Sequence, residues 1–251
     1  MRTLGRHVTV IVATAIAVVL FGWLRAQWDP MHRWNRAFGD SAFVLIAMTM
    51  AVGPLVALLP RVSFLLPWRR ELGIYSAVFA SVHTVIVLNG WFGWDLWRLS
   101  GFAFHSALQR YVLAEHGLGL ANWMGAVALV PAIGLVVISN DRAIGLFGPR
   151  TWKLLQSSAN VVWVLVVIHA GYFLFMHFQH FHRPDPPPNP ITWFVVGLTL
   201  FVQLLRWCAT YVVWRRGRRS DGALRSATAR SNESALALSE VGSTYSSTLA
   251  R

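Results

Sequence analysis

The chain has 251 residues, 55% of them hydrophobic and 13% charged, with a mean hydropathy of +0.50 and a formal net charge of +12. That charge content is about half the share usual in soluble domains, and thirteen Trp and fifteen Phe suit aromatic belts at membrane interfaces. The basic residues lie between apolar spans rather than along one stripe, which argues against a nucleic-acid partner, and the single cysteine, Cys208, excludes an intrachain disulfide or a thiolate cluster.

Six apolar segments, near residues 8–24, 41–60, 71–91, 118–139, 152–176 and 191–214, are long enough to cross a hydrocarbon core of about 30 Å. The expected fold is therefore all-α, a polytopic bundle of six transmembrane helices. The first segment follows Arg2 and Arg6 as a signal peptide would. Its apolar run is longer than a typical signal core, and Trp23-Leu24-Arg25 is a poor cleavage site, so it reads as a retained helix. Cys208, inside the last segment, reads as a packing residue.

Lys and Arg set the orientation. With the N-terminus inside, fifteen fall on inner segments (Arg2, Arg6, Arg61, Arg69, Arg70, Arg142, Arg150, Lys153 and seven beyond residue 214). Six fall on outer ones (Arg25, Arg33, Arg36, Arg98, Arg110 and Arg183), with Arg206 left inside the last span. Both termini are expected in the cytoplasm.

Two outer loops stand out. Residues 92–117 are too long for a plain turn and mix apolar with polar residues, which reads as an interfacial helix. The segment HRPDPPPNP after the fifth span favours an extended path. Beyond about residue 217 the chain turns to Ser, Ala, Arg and Gly, and a disordered tail is expected. The tail has no GxGxxG and is too short for a flavin or nicotinamide domain, so any reductant must come from another molecule. The chain divides into an N-terminal helix and loop (1–39), a core (40–180), a Pro-rich loop with the last span (181–216), and the tail (217–251).

Of nine histidines, His7, His32, His105 and His116 are explained as ordinary solvated residues, and His177, His180 and His182 as a polar tip at the membrane interface. His83 and His169 differ, because each lies well inside an apolar span, where an ionisable group is costly. Counted from Arg70, His83 is about 20 Å along its helix, and His169 is about 24 Å from Lys153. Both spans run from inside to outside, so the imidazoles reach similar depth in the outer half. Two neutral imidazoles can fill both axial positions of a haem iron, an arrangement suited to electron transfer. Gly73, Ser76, Ala77 and Ala80 would leave room beside His83 for a flat macrocycle. The competing reading is that each histidine hydrogen-bonds a neighbouring helix. A transporter is disfavoured, since neither an intramembrane carboxylate nor an inverted repeat is evident.

The run RRELGIYSAVFASVH (69–83) and the run SNDRAIGLFGPRTWKLLQ (139–156), with His169 thirteen residues beyond, resemble the two motif regions of the ferric reductase-like transmembrane family. The likeness covers about residues 40–180 and is greatest to the branch of haem-binding membrane subunits that serve periplasmic methionine sulfoxide reductases. It implies a six-helix core, b-type haem on His83 and His169, and electron transfer across the membrane. The donor would be a quinol or a cytoplasmic flavin reductase, the acceptor a periplasmic reductase, and quinone or FMN would bind at the cytoplasmic side. The family usually carries a histidine after Trp-Lys-x-Leu for an inner haem. This chain has Gln156 there, which implies one haem rather than two. Thirteen residues from Gln156 to His169 rotate well off one helix face, so a shared face would need a bulge. Arg69, fourteen residues before His83, returns near that face and is a candidate for a haem propionate or quinone headgroup, or an ordinary topogenic arginine. The alternative function is a non-redox assembly subunit that keeps the fold.

Overall fold

The computed structural model describes residues 2–177 and 189–218. The expected tail, most of the Pro-rich loop, His180 and His182 lie outside them. The chain is a multi-pass membrane protein, with six helical spans long and apolar enough to cross a bilayer. Three are single helices, α1 (Arg2–Trp23), α2 (Pro30–Leu58) and, further on, α5 (His116–Val137). The third span is α3 (Trp68–Val87), continued by a π-helical turn, Leu88–Phe92. The fifth runs through α6 (Asp141–Ser157) and α7 (Ala159–Gly171) into a second π turn, Tyr172–Met176. The last is α8 (Thr192–Arg218).

Local chemistry sets the ends. The Asp29 carboxylate accepts the backbone N–H groups of Met31 and His32, and Pro30 fills the first turn, where no N–H is missed. Helix α2 therefore starts about ten residues before its apolar run and carries polar residues into the span. The Asn140 side chain caps α6 through the Ala143 N–H. At Gly148 the backbone turns to φ 76°, ψ 157° just before Pro149, and the helix kinks. Proline disfavours helical geometry in the residue before it, and glycine alone takes positive φ without strain.

The long outer loop departs from the expected interfacial helix. It holds a single helical turn, α4 (Leu96–Leu99), and an antiparallel hairpin of β1 (Phe102–His105) and β2 (Arg110–Leu113), with Phe102 opposite Leu113. Gly101 at φ 85° ends α4, and a side chain there would strike the Glu115 carbonyl. Phe-Ala-Phe-His and Arg-Tyr-Val-Leu then pair in the extended form that aromatic and β-branched residues favour. Trp97 stacks on Tyr111 with ring centres 5.8 Å apart.

Alternation of the spans is fixed by contacts at both ends. On one side Arg6 Nε donates to Glu71 at 2.8 Å, and Arg216 bonds the Ala57 carbonyl; this is called the terminal side below, because α1 begins and α8 ends there. On the far side Arg25 reaches Asn189. The largest apolar core joins α1, α2, α7 and α8 around Trp163, Phe43, Ala47 and Val202. A smaller one joins α1, α2 and α3 through Val10, Leu45, Val52 and Leu72. Cys208 is exposed on α8 rather than packed inside.

Two carboxylates lie within the spans, contrary to the reading from sequence. Glu71, 1% exposed, takes Arg6, and Asp40 pairs with the fully buried Arg25 at 2.6 Å. Arg25 does lie in the turn after α1, but it is buried there, because its partner stands fifteen residues on, in α2. Removing one member of a buried pair costs about 3–5 kcal/mol, whereas replacing both with apolar residues is often neutral. Asp40→Ala should therefore lower the thermal unfolding midpoint in detergent sharply, and Arg25→Met with Asp40→Leu should recover most of the loss. Equal damage from single and double variants would contradict this account.

Candidate functional site

His83 and His169 meet. Their ring centres are 6.3 Å apart with planes at 86°, although one lies on α3 and the other on α7. The depth matching from sequence thus has a counterpart in space, despite the break at Ser158 along the route to His169.

Each imidazole is seated in the same way. His83 Nδ1 donates to the Asn35 carbonyl at 3.0 Å, and His169 Nδ1 donates to the Ala121 carbonyl at 2.7 Å. Asn35 and Ala121 are each the sixth residue of their helix, α2 and α5. Both bonds join residues 48 apart in sequence. One turn further along, Gly39 and Gly125 provide the floor on which the rings lie. A Cβ on Gly39 would stand 3.0 Å from His83 Nδ1, and one on Gly125 would stand 2.8 Å from His169 Cε1. After the histidine each helix loosens into a π turn, a feature frequent at functional sites. The α2–α3 and α5–α7 hairpins therefore repeat one design, as a parallel rather than an inverted repeat.

The chemistry of the seat follows. A backbone carbonyl fixes the proton on Nδ1 and leaves the Nε2 lone pair available, which is the arrangement behind most metal-bound histidines. Both residues are only partly buried, so neither is sealed off by the helices around it. A metal between two Nε2 atoms, with bonds of about 2.0 Å as in zinc sites and about 1.1 Å from nitrogen to ring centre, would put ring centres about 6 Å apart. Among the described residues no group of three or more His, Cys, Asp and Glu could hold a bare ion.

Around the pair stand residues that sequence reasoning missed. Phe173 lies 5.0 Å from the His169 ring, centre to centre, and the Arg36 guanidinium lies 5.5 Å over the Phe173 ring and reaches its carbonyl at 3.4 Å. Arg36 had read as a loop charge, yet it sits one turn before Asp40 on α2. A signal was available in the matched spacing, since each glycine precedes its histidine by 44 residues (83 − 39 and 169 − 125).

Other expectations are corrected. Gly73, Ser76 and Ala77 do not open a space beside His83: Ser76 Oγ donates to the Ala42 carbonyl at 3.0 Å, Ala77 is buried, and Gly73 faces Thr49. Small residues there let α2 and α3 approach closely. Gln156 and Arg69 are not brought together. Gln156 Nε2 reaches Ser139 Oγ at 3.5 Å, and Arg69 Nη1 lies near Gly53 of α2. His7 meets the Tyr75 hydroxyl at 3.2 Å, His32 pairs with Asp29, and the His105 ring accepts the Leu108 N–H at 3.3 Å. His177 lies against Tyr172 and Phe173. Comparison with known proteins finds no matching family model and no matching curated protein.

The seat yields a direct test. Gly125→Ala should press on the imidazole and cost about 1–3 kcal/mol, the usual penalty for overpacking. Gly134→Ala on the same helix, where a side chain meets nothing within 4 Å, should be neutral or slightly stabilising. Thermal unfolding of both variants in one detergent separates them, and equal midpoints would dissolve the close seat.

Proposed function

We propose that the chain is a membrane b-type haem electron-transfer subunit of a bacterial inner membrane. It would take electrons from a quinol or a cytoplasmic flavin reductase and pass them to an outer acceptor such as a periplasmic reductase. The observation that carries this reading is the His83–His169 pair, with ring centres 6.3 Å apart and both Nδ1 protons committed to carbonyls. The resemblance of segments 69–83 and 139–156 to the ferric reductase-like family supports it, and so does the Lys/Arg asymmetry, which favours cytoplasmic termini.

Haem b would supply reversible one-electron chemistry. The chain's own residues would bind and orient it. His83 and His169 would hold the iron through Nε2, and the Asn35 and Ala121 carbonyls would keep each ring in the one tautomer that can do so. Gly39 and Gly125 permit close approach of the flanking helices, and Phe173 shields the His169 side from water. Arg36 supplies a positive charge suited to a cofactor carboxylate. Gln156, an amide held toward Ser139, makes one haem per chain the expectation.

Protein purified from haem-sufficient cells should show a low-spin b-type spectrum with about one haem per chain. His83→Ala and His169→Ala should each abolish it. Retention of the full low-spin spectrum by both variants would remove the assignment. A pyridine haemochrome ratio near two would point to an inner site that Gln156 does not preclude, and a rise toward two in Gln156→His would show an inner pocket lacking only its ligand.

A second reading has one observation in its favour. Hydrogen bonds from imidazole to a neighbouring helix are what a purely stapling histidine makes inside a membrane, and a non-redox assembly subunit would need no more. Wild-type protein without haem, from cells that load other b-type proteins, would favour it.

A further inference from the structure

We infer that the terminal-side cleft between α2 and α8 is a binding site for the phosphate headgroup of an anionic phospholipid. The cleft, with a volume of about 450 Å³, is walled by Gly53, Pro54 and Ala57 of α2 and by Arg206, Thr210 and Trp214 of α8, among others. Arg206 lies inside a span, where a cation is costly unless it is paired or lines a functional site. Its guanidinium donates to a neutral group, Asn160 Oδ1, at 2.6 Å. Arg69 enters from α3, with Nη1 3.7 Å from where a Cβ on Gly53 would stand. Neither arginine forms a salt bridge among the described residues: Glu71 is taken by Arg6, and Asp141 faces Arg70.

Arg206 thus lines the cleft and Arg69 lies beside its Gly53 wall, with neither paired to a carboxylate among the described residues. A phosphate answers that charge, since its oxygens accept paired N–H groups from each guanidinium. Depth selects a lipid. Gly53 to Leu58 is about 7.5 Å of rise at the end of α2, the level at which headgroup and glycerol give way to acyl chain. Pro54, Val213 and Trp214 stand nearer the terminal ends of their helices than Gly53 and Arg206, so they wall the entry to the cleft rather than its floor. At the mouth, Arg216 holds the Ala57 carbonyl at 3.2 Å and closes the last turn of α2. A quinone headgroup is neutral and would leave both charges uncompensated. Basic pockets between spans on a membrane's inner side hold anionic headgroups for the same reason. This inference does not rest on the haem reading.

The test is native mass spectrometry and thermal unfolding of the full-length protein in a neutral detergent, titrated with phosphatidylglycerol, phosphatidylcholine of the same chains, inorganic phosphate or a ubiquinone. Phosphatidylglycerol should bind with one tight site per chain and raise the unfolding midpoint, at least tenfold more tightly than phosphatidylcholine. Arg69→Gln with Arg206→Gln should weaken that site at least tenfold, whereas Arg206→Lys, which keeps the charge, and Arg61→Gln, outside the cleft, should retain the preference. Equal binding of the two lipids by wild type, a requirement that needs no variant to fold, would overturn the inference. So would equal stabilisation by inorganic phosphate, ubiquinone bound in preference to phosphatidylglycerol, or a folded double variant with unchanged affinity.

Discussion

Hydrocarbon offers no hydrogen-bond partner to an imidazole, a guanidinium or a carboxylate, so each such group in a span must find one inside the protein. That requirement organises this bundle. Arg25 and Asp40 tie the turn after α1 to α2, Arg6 and Glu71 tie α1 to α3, and Arg206 and Asn160 tie α8 to α7. His83 and His169 tie α3 to α2 and α7 to α5. Apolar packing between helices gains little over packing against lipid, so these polar ties specify which helix neighbours which. The glycines and small residues at the same crossings are what let the ties be short.

The ties on the two histidines have an effect beyond architecture. An imidazole that donates from Nδ1 to a carbonyl is a helix staple on one edge and a free base on the other. A single bond therefore meets the cost of burying the ring and also prepares its second nitrogen. The same geometry would serve packing or ligation, which is why the two proposed roles part only over whether a cofactor is loaded.

The spans were legible because long apolar runs have one physical explanation at this length, and the histidine pair was legible because helical rise converts residue number into depth. What escaped reading shares a cause. The seats at Gly39 and Gly125 depend on which helix lies opposite, and composition does not encode neighbours. Arg36 looks like a loop charge until the Asp29 cap and Pro30 draw α2 outward past its apolar run, whereas Arg25 stays in the turn after α1 and is buried there against Asp40. The hairpin at 102–113 was hidden because alternating aromatic and polar residues suit either an interfacial helix or paired strands, and the turn at Gly101 decides between them. Gly73, Ser76 and Ala77 were read correctly as small but assigned to the wrong partner, a helix being nearer than any macrocycle.

The repetition of the histidine hairpin bears on how the chain is made. His83 leaves the ribosome 86 residues before His169 (169 − 83). At a synthesis rate of about 5–20 residues per second, that is a delay of roughly 4–17 s. During it the first hairpin can enter the membrane and close its Asn35 bond, but it holds only half a site. The second hairpin brings the other half already paired with its own helix. Assembly can thus proceed as two self-contained insertions followed by one docking event, and neither nascent hairpin need expose an unpaired imidazole Nδ1–H to lipid while it waits.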